Sequence, residues 1–358
     1  MQALLQLPKI QELARCSGPC ITIFLPPFRP GEQAPGAAST MLRNFVQEAA
    51  SRLETLPREP LDKHGVEDLL EALRGLEGSP AIEEGCHWSR AFFRAAGVLE
   101  QALLREPAAP QCVVGDRFDL LPILGELELP EHFYVLRISR KNAQLFRAGY
   151  SLEPVPLPGE IPANVSDFLE LNIPDHDREN RSSVAPGARR VRFGTGTERE
   201  TQQAHVADYY RALDRVLREF PDTSRTPLVL AGVEEDTSLY RGVNANPNLQ
   251  GAIRDNGSAQ AMLEQAYTVL RTALNERGMR SLAEAQERLA PARFTTQLDT
   301  IVGLAGEGRV ARVFVRSGAV NEEEKLNRAA VETIRHGGEA LAIPADGMRA
   351  AIAAALRY

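Results

Sequence analysis

HFYVLRISRKNAQLFRAGYSLEPVPLP, residues 132–158, sets two six-residue runs, FYVLRI and AQLFRA, on either side of Ser-Arg-Lys-Asn. Turn residues between two runs rich in branched and aromatic side chains signal an antiparallel hairpin. Gly149 breaks the pattern before a third run, so a hairpin or short meander is expected here. The pattern then turns helical: beyond a polar, glycine-containing stretch at 172–200, Val206, Tyr210, Leu213, Leu217 and Phe220 fall on one stripe. That stripe predicts a helix with one buried face.

Working outward, PDTSRT (221–226) reads as a linker and TPLVLAGV (226–233) as an apolar strand. Helical pattern covers 258–278, helix and turn 294–308, strand 309–315, and helix 321–338 with a glycine stop. Residues 339–344 and 350–358 read as strands. Upstream, ITIFLPPFRP (21–30) is a strand ended by prolines, which cannot continue a sheet ladder. Leu42, Phe45, Val46, Ala49 and Leu53 recur at helical spacing in 40–54, helical pattern extends over 62–76 and 89–105, and 111–118 reads as strand and turn. Strands alternating with helices imply α/β units with sheets layered between helices. The expected division is an N-terminal α/β domain at 1–128, a middle domain at 129–224 and a C-terminal α/β/α domain at 225–358.

Composition narrows the function classes. The chain has 358 residues, 43% hydrophobic and 25% charged, the profile of a globular protein with more than one core. No apolar run approaches the roughly 20 residues that span a bilayer, and the first twenty residues lack the layout of an export signal. A cytoplasmic protein without membrane contact is expected. The net charge of −7 argues against coating nucleic acid through the overall field and leaves room for a local basic patch. Cys16 and Cys20 form a Cys-x-x-x-Cys pair, but Cys86 and Cys112 do not complete a zinc spacing, so no metal is expected. No phosphate-binding Gly-Lys-Ser/Thr occurs and GLAGEGRV (303–310) has the wrong spacing for a dinucleotide fingerprint, so no cofactor is expected.

The stretches ITIFLPPFRP, CVVGDRFDLLPIL, FYVLRISRKNAQLFRAG and TPLVLAGVEEDTSLYRGVNANPNL, with the ending AAVETIRHGGEALAIPADGMRAAIAAALRY, occur in the order expected of one family. Through them the chain resembles the bacterial relatives of the archaeo-eukaryotic peptide release factor, specifically family 3 of that group. The resemblance implies an RNase H-like sheet in the middle domain and a C-terminal α/β/α domain with the fold of kink-turn-binding ribosomal proteins. It also implies a cytosolic role at the ribosome, with ribosome or tRNA as partner.

In release factors a Gly-Gly-Gln tripeptide sits on a loop before a middle-domain helix and orients a water toward the peptidyl-tRNA ester. An activated ester needs positioning and oxyanion stabilisation more than a Ser-His-Asp set. The corresponding stretch here is FGTGTERETQQ (193–203), which lacks the tripeptide. Gln202 and Gln203 are the available water-orienting groups, and helix surface is their competing reading, because Thr197-Glu198-Arg199-Glu200 forms a capping box that would start the helix at Thr197. Arg189, Arg190 and Arg192, with Gly194 and Gly196, make a basic glycine-interrupted segment suited to phosphate oxygens. Arg211, Arg215 and Arg218 continue a basic stripe that would equally be a solvated face paired with Asp208, Asp214 and Glu219.

Three other stretches have bland readings. Asp175-His176-Asp177 reads as a solvated loop. His336-Gly337-Gly338 reads as a helix C-cap. LYRGVNANPNL (239–249) reads either as a loop held by side-chain-to-backbone bonds or as a ribosome or tRNA contact. The sequence-level function is a translation-associated, release-factor-like protein with peptidyl-tRNA ester hydrolysis as candidate reaction. A non-catalytic ribosome- or RNA-binding adaptor and a protein-interaction scaffold are the alternatives.

Overall fold

A computed structural model describes residues 7–29, 34, 36–55, 63–79, 82, 87–172, 195–255, 257–319 and 322–358. Among them are three sheets mixed with helices, an α/β architecture. Two compact units divide the chain: residues 1–129 with 274–358, and residues 130–273.

The first unit opens with α1 (Leu7–Arg15), β1 (Cys20–Leu25), α2 (Ala37–Leu53), α3 (Lys63–Arg74), β2 (Ser89–Ala95), β3 (Val98–Leu104), β4 (Gln111–Gly115) and α4 (Leu124–Glu128). Its antiparallel sheet runs β3-β2-β1-β4. Alternation along β1 sends Ile21, Ile23 and Leu25 to the face covered by Leu42, Val46, Leu69 and Leu73 of α2 and α3. Cys20 and Phe24 go to the other face, into one cluster with Ile10 and Leu13 of α1 and with Leu326, Ala330 and Ile334 from the C-terminal segment.

The helix expected over 89–105 is instead the β2–β3 hairpin. All seven β2 residues are buried, so no polar–apolar alternation marks the strand. Ala96-Gly97 makes the turn, with Gly97 at φ 70°, a conformation that glycine adopts without a Cβ penalty.

The second unit continues with β5 (Phe133–Ile138), β6 (Ala143–Ala148), β7 (Leu152–Val155), α5 (Val165–Asn172), α6 (Thr195–Glu219), β8 (Leu228–Gly232), α7 (Glu234–Val243), β9 (Leu249–Arg254) and the first half of α8 (Ala259–Arg288). The hairpin expected at 132–158 is present: Leu136 faces Leu145 and Ile138 faces Ala143 across β5 and β6. Ser139 closes the loop, its N–H on the Asn142 carbonyl at 2.9 Å. The sheet order is β7-β6-β5-β8-β9, antiparallel through the first three strands and parallel at β5–β8 and β8–β9. Val206, Tyr209, Tyr210, Leu213 and Leu217 of α6 pack on Leu136, Leu145 and Leu230. Phe220, expected on that stripe, lies just past the helix end and is 42% exposed. On α8, Tyr267 meets Phe133 edge-on at 5.1 Å.

The expected boundary at 224/225 cuts this unit, because β8 hydrogen-bonds in parallel to β5 and residues 225–273 belong with the middle segment. PDTSRT is a turn within the unit: the Thr223 hydroxyl donates to the Leu217 carbonyl at 2.5 Å. Gly232 ends β8 where a Cβ would lie 2.8 Å from the Ile138 carbonyl, so only glycine fits that approach.

The C-terminal segment completes the first unit with the rest of α8, then β10 (Phe294–Thr295), α9 (Leu298–Gly306), β11 (Val310–Arg316), α10 (Glu323–Arg335), β12 (Glu339–Ile343) and β13 (Ile352–Leu356). Its sheet order is β10-β13-β11-β12, with β11–β12 parallel and β13 antiparallel to both neighbours. Val313 and Val315 pack with Ile301 of α9 and Ala330 of α10; Phe314 and Ala353 pack with Leu282 of α8. Asn327 of α10 donates to the Phe118 carbonyl and accepts from Leu120 N–H, both at 2.9 Å, joining the two segments of this unit.

Candidate functional site

Arg189, Arg190, Arg192 and Gly194 lie outside the described residues, as do Asp175, His176 and Asp177. Helix α6 begins at Thr195, two residues before the capping box predicted, so Gly196, Gln202 and Gln203 all stand on helical backbone. Gln203 is exposed and lines a pocket of about 180 Å³ with Arg140, Val206, Glu235, Asp236 and Leu239.

Three segments build this pocket. The hairpin turn after β5 supplies Arg140, one face of α6 supplies Gln203 and Val206, and α7 supplies the rest. Glu234, Glu235 and Asp236 open α7, where negative charge meets the free N–H groups of the first turn. The Arg140 Nη2 pairs with Glu235 and its Nε lies 3.5 Å from Asp236. Burial pushes the Asp236 carboxyl up from its ordinary range, and Arg140 opposes the shift. Tyr210, one turn beyond Val206 on the same face, is fully buried, and its hydroxyl has no hydrogen-bond partner among the described residues. Burial raises this phenol, with Asp236 adding to the effect. The pocket thus offers an amide able to donate and accept, beside carboxylates already engaged by a guanidinium.

Asp214 is a second centre, 1% exposed. It accepts from Arg218 Nε at 3.0 Å, from Ala245 N–H at 3.1 Å and from the Tyr240 hydroxyl at 3.4 Å. The loop it anchors is held by asparagines: Asn246 N–H donates to Asn244 Oδ1 at 3.2 Å, Asn248 N–H to Asn246 Oδ1 at 2.9 Å, and Asn248 Nδ2 to the Ser224 carbonyl. Of the basic stripe, Arg211 pairs with Asp208 at 2.5 Å and Arg218 with Asp214, while Arg215 is exposed. His336 caps α10 and Gly337 comes next at φ 72°, as a left-handed C-cap requires.

Sequence reasoning missed Arg140 and Asp236, and it read Asp214 as a partner on a solvated face where the structure buries it. The available signal for Asp236 was an acidic triplet directly after an apolar parallel strand, where open α/β sheets collect polar groups. Among the described residues no group of three or more His, Cys, Asp or Glu is placed to hold a metal, and no helix is long and apolar enough to cross a membrane. Cys16, Cys20 and Cys112 are free; burial pushes the Cys20 and Cys112 thiols up to about 12, which keeps them protonated.

Residues 132–309 match the family model for bacterial archaeo-eukaryotic release factor family 3. The family-3 segment runs from the residue before β5 to the residue before β11 and contains the whole pocket. Among curated proteins none matches the sequence significantly. Among solved structures, an archaeal translation termination factor, aRF1, is 13% identical with 99% of both chains covered and a TM-score of 0.25. Archaeoglobus fulgidus Pelota is 12% identical, covering 76% of this chain and 80% of its own, at 0.38. S. cerevisiae Dom34, a translation termination-like factor, is 12% identical over 73% and 74%, at 0.31.

Proposed function

We propose that this protein is a translation-associated, release-factor-like factor that engages a ribosomal complex in the cytoplasm. The observation that carries the reading is the family match, which spans the five-stranded sheet and the helix behind segment 187–203. We read that sheet, three antiparallel strands followed by two parallel ones, as the RNase H-like sheet of a release-factor middle domain. Arg189, Arg190 and Arg192 would meet phosphates of the ribosomal complex or tRNA, with Gly194 and Gly196 allowing close backbone approach. Gln202 or Gln203 would orient water at the peptidyl-tRNA ester, needing neither metal nor cofactor.

The helical backbone under Gln203, together with the missing Gly-Gly-Gln, favours a second reading, the non-catalytic adaptor of the same fold. Stalled ribosome–nascent-chain complexes separate the two. For a hydrolase, purified protein releases peptide, and Gln202→Ala or Gln203→Ala slows release at least about tenfold, or about 1.4 kcal/mol in barrier. For an adaptor, salt-sensitive co-sedimentation falls when the three loop arginines become alanine, with no release at any stage. Neither co-sedimentation nor release would sink the ribosomal reading and leave the scaffold.

A further inference from the structure

The antiparallel placement of β13 between β10 and β11 brings three arginines to one end of the C-terminal sheet. Phe294 faces Ala355 and Val310 faces Leu356, so Arg293, Arg309 and Arg357 flank those strands on the same side. Hydrogen bonds confirm the cluster: Arg357 N–H donates to the Arg309 carbonyl at 2.9 Å, and Arg293 Nη2 to the Arg357 carbonyl at 2.8 Å. Arg357 Nη2 donates to the His336 carbonyl at 2.8 Å, which brings in the end of α10 and its exposed Arg335. Beside them Tyr358 is 71% exposed, with the Arg309 guanidinium carbon 5.5 Å from its ring centre.

The acceptors decide what these cations can do. Arg293 and Arg357 are fixed on backbone carbonyls, which orient a guanidinium without cancelling its charge, and neither has a carboxylate partner among the described residues. Arg309 reaches the exposed Glu307 at 3.4 Å. Arg335 reaches Glu332 only at 3.8 Å, and that carboxylate is engaged by Arg117 at 2.8 Å. Capping of α10 accounts for Arg357 on His336; it does not account for Arg293, Arg309 or the exposed ring.

We propose that this end of the sheet binds an unpaired segment of RNA, with phosphates on Arg293, Arg309, Arg335 and Arg357 and one base stacked on Tyr358. Guanidinium groups suit phosphate oxygens. An exposed aromatic ring flanked by cations suits a base freed from a helix, whereas a duplex offers its backbone alone. An acidic protein surface would satisfy the arginines and leave the ring unused.

The test is fluorescence anisotropy of the full chain with a short labelled unpaired RNA across a salt series. Arg335 and Tyr358 are exposed and support no strand, so variants there leave thermal melting unchanged. Tyr358→Ala weakens binding roughly fivefold or more, and Arg335→Ala lowers the salt slope by about one. Arg211→Ala on α6 leaves both unchanged. Wild-type affinity in both patch variants overturns the proposal. So does equal binding of a duplex that ignores Tyr358→Ala, or binding of polyglutamate with none of RNA. No ribosome is present, so this result and ribosome engagement stand or fall separately.

Discussion

Asp214, buried in the second unit, and Glu128, half-buried in the first, are carboxylates in different surroundings. Asp214 meets a cation, a backbone N–H and a phenol. Glu128 accepts one bond, from Ala342 N–H at 3.1 Å, and burial pushes its carboxyl up to about 7, with Glu106 and Glu339 adding to the shift and Arg277 opposing it. The arginines divide similarly. Arg211 and Arg218 on α6 meet Asp208 and Asp214, whereas Arg293 and Arg357 at the C-terminal sheet end meet backbone carbonyls. Where acceptors carry charge, the arginine is part of the scaffold; where they are neutral, it keeps a field that an anion can use.

The largest effect expected from this contrast is at Asp214. Asp214→Ala leaves Arg218, Ala245 N–H and Tyr240 without their shared acceptor and lowers stability by about 3 kcal/mol in denaturant unfolding. Asp214→Asn keeps an acceptor and loses less. A loss below about 1 kcal/mol for the alanine variant would remove Asp214 from its place as a hub.

Next comes pH. The native chain holds a proton on Glu128 that the unfolded chain has already released between its ordinary value of 4.5 and about 7. Stability therefore falls as pH rises through that window, by about 2 kcal/mol. Asp119, pushed by burial to about 6 and close to Glu323, adds the same sign over a narrower range. Glu128→Gln removes most of this slope in unfolding measured at pH 5 and pH 8. An unchanged slope in that variant contradicts the assignment. The smallest effect is Arg211→Ala, whose exposed partner Asp208 makes its pair worth under about 0.5 kcal/mol in the same assay.

How much of this was legible depends on whether the signal is local. The β5–β6 hairpin shows in sequence because turn chemistry and β-rich runs sit side by side. The β2–β3 hairpin did not, since SRAFFRA is buried on both faces and VLEQALL mixes good helix formers into a strand; Gly97 was the one local clue. The boundary at 224/225 failed because turn residues look alike within a unit and between units, and only the β5–β8 pairing tells them apart. Gln203 could be singled out beforehand, but Arg140 and Asp236 join it through three distant segments whose spacing has no pattern. Counting arginines found the α6 stripe and passed over the sheet end, because a sequence shows cations without showing their acceptors.

The strand order of the C-terminal sheet has a consequence for biosynthesis. β10, β11 and β12 leave the ribosome before β13, the strand that must slide between the first two. Until then Phe24 and Phe93, translated more than 250 residues earlier and destined for a cluster that includes Ile352 and Leu356, lack part of their cover. A nascent chain arranged this way carries a sticky face through most of its translation, which makes it a natural client for chaperones acting near the exit tunnel.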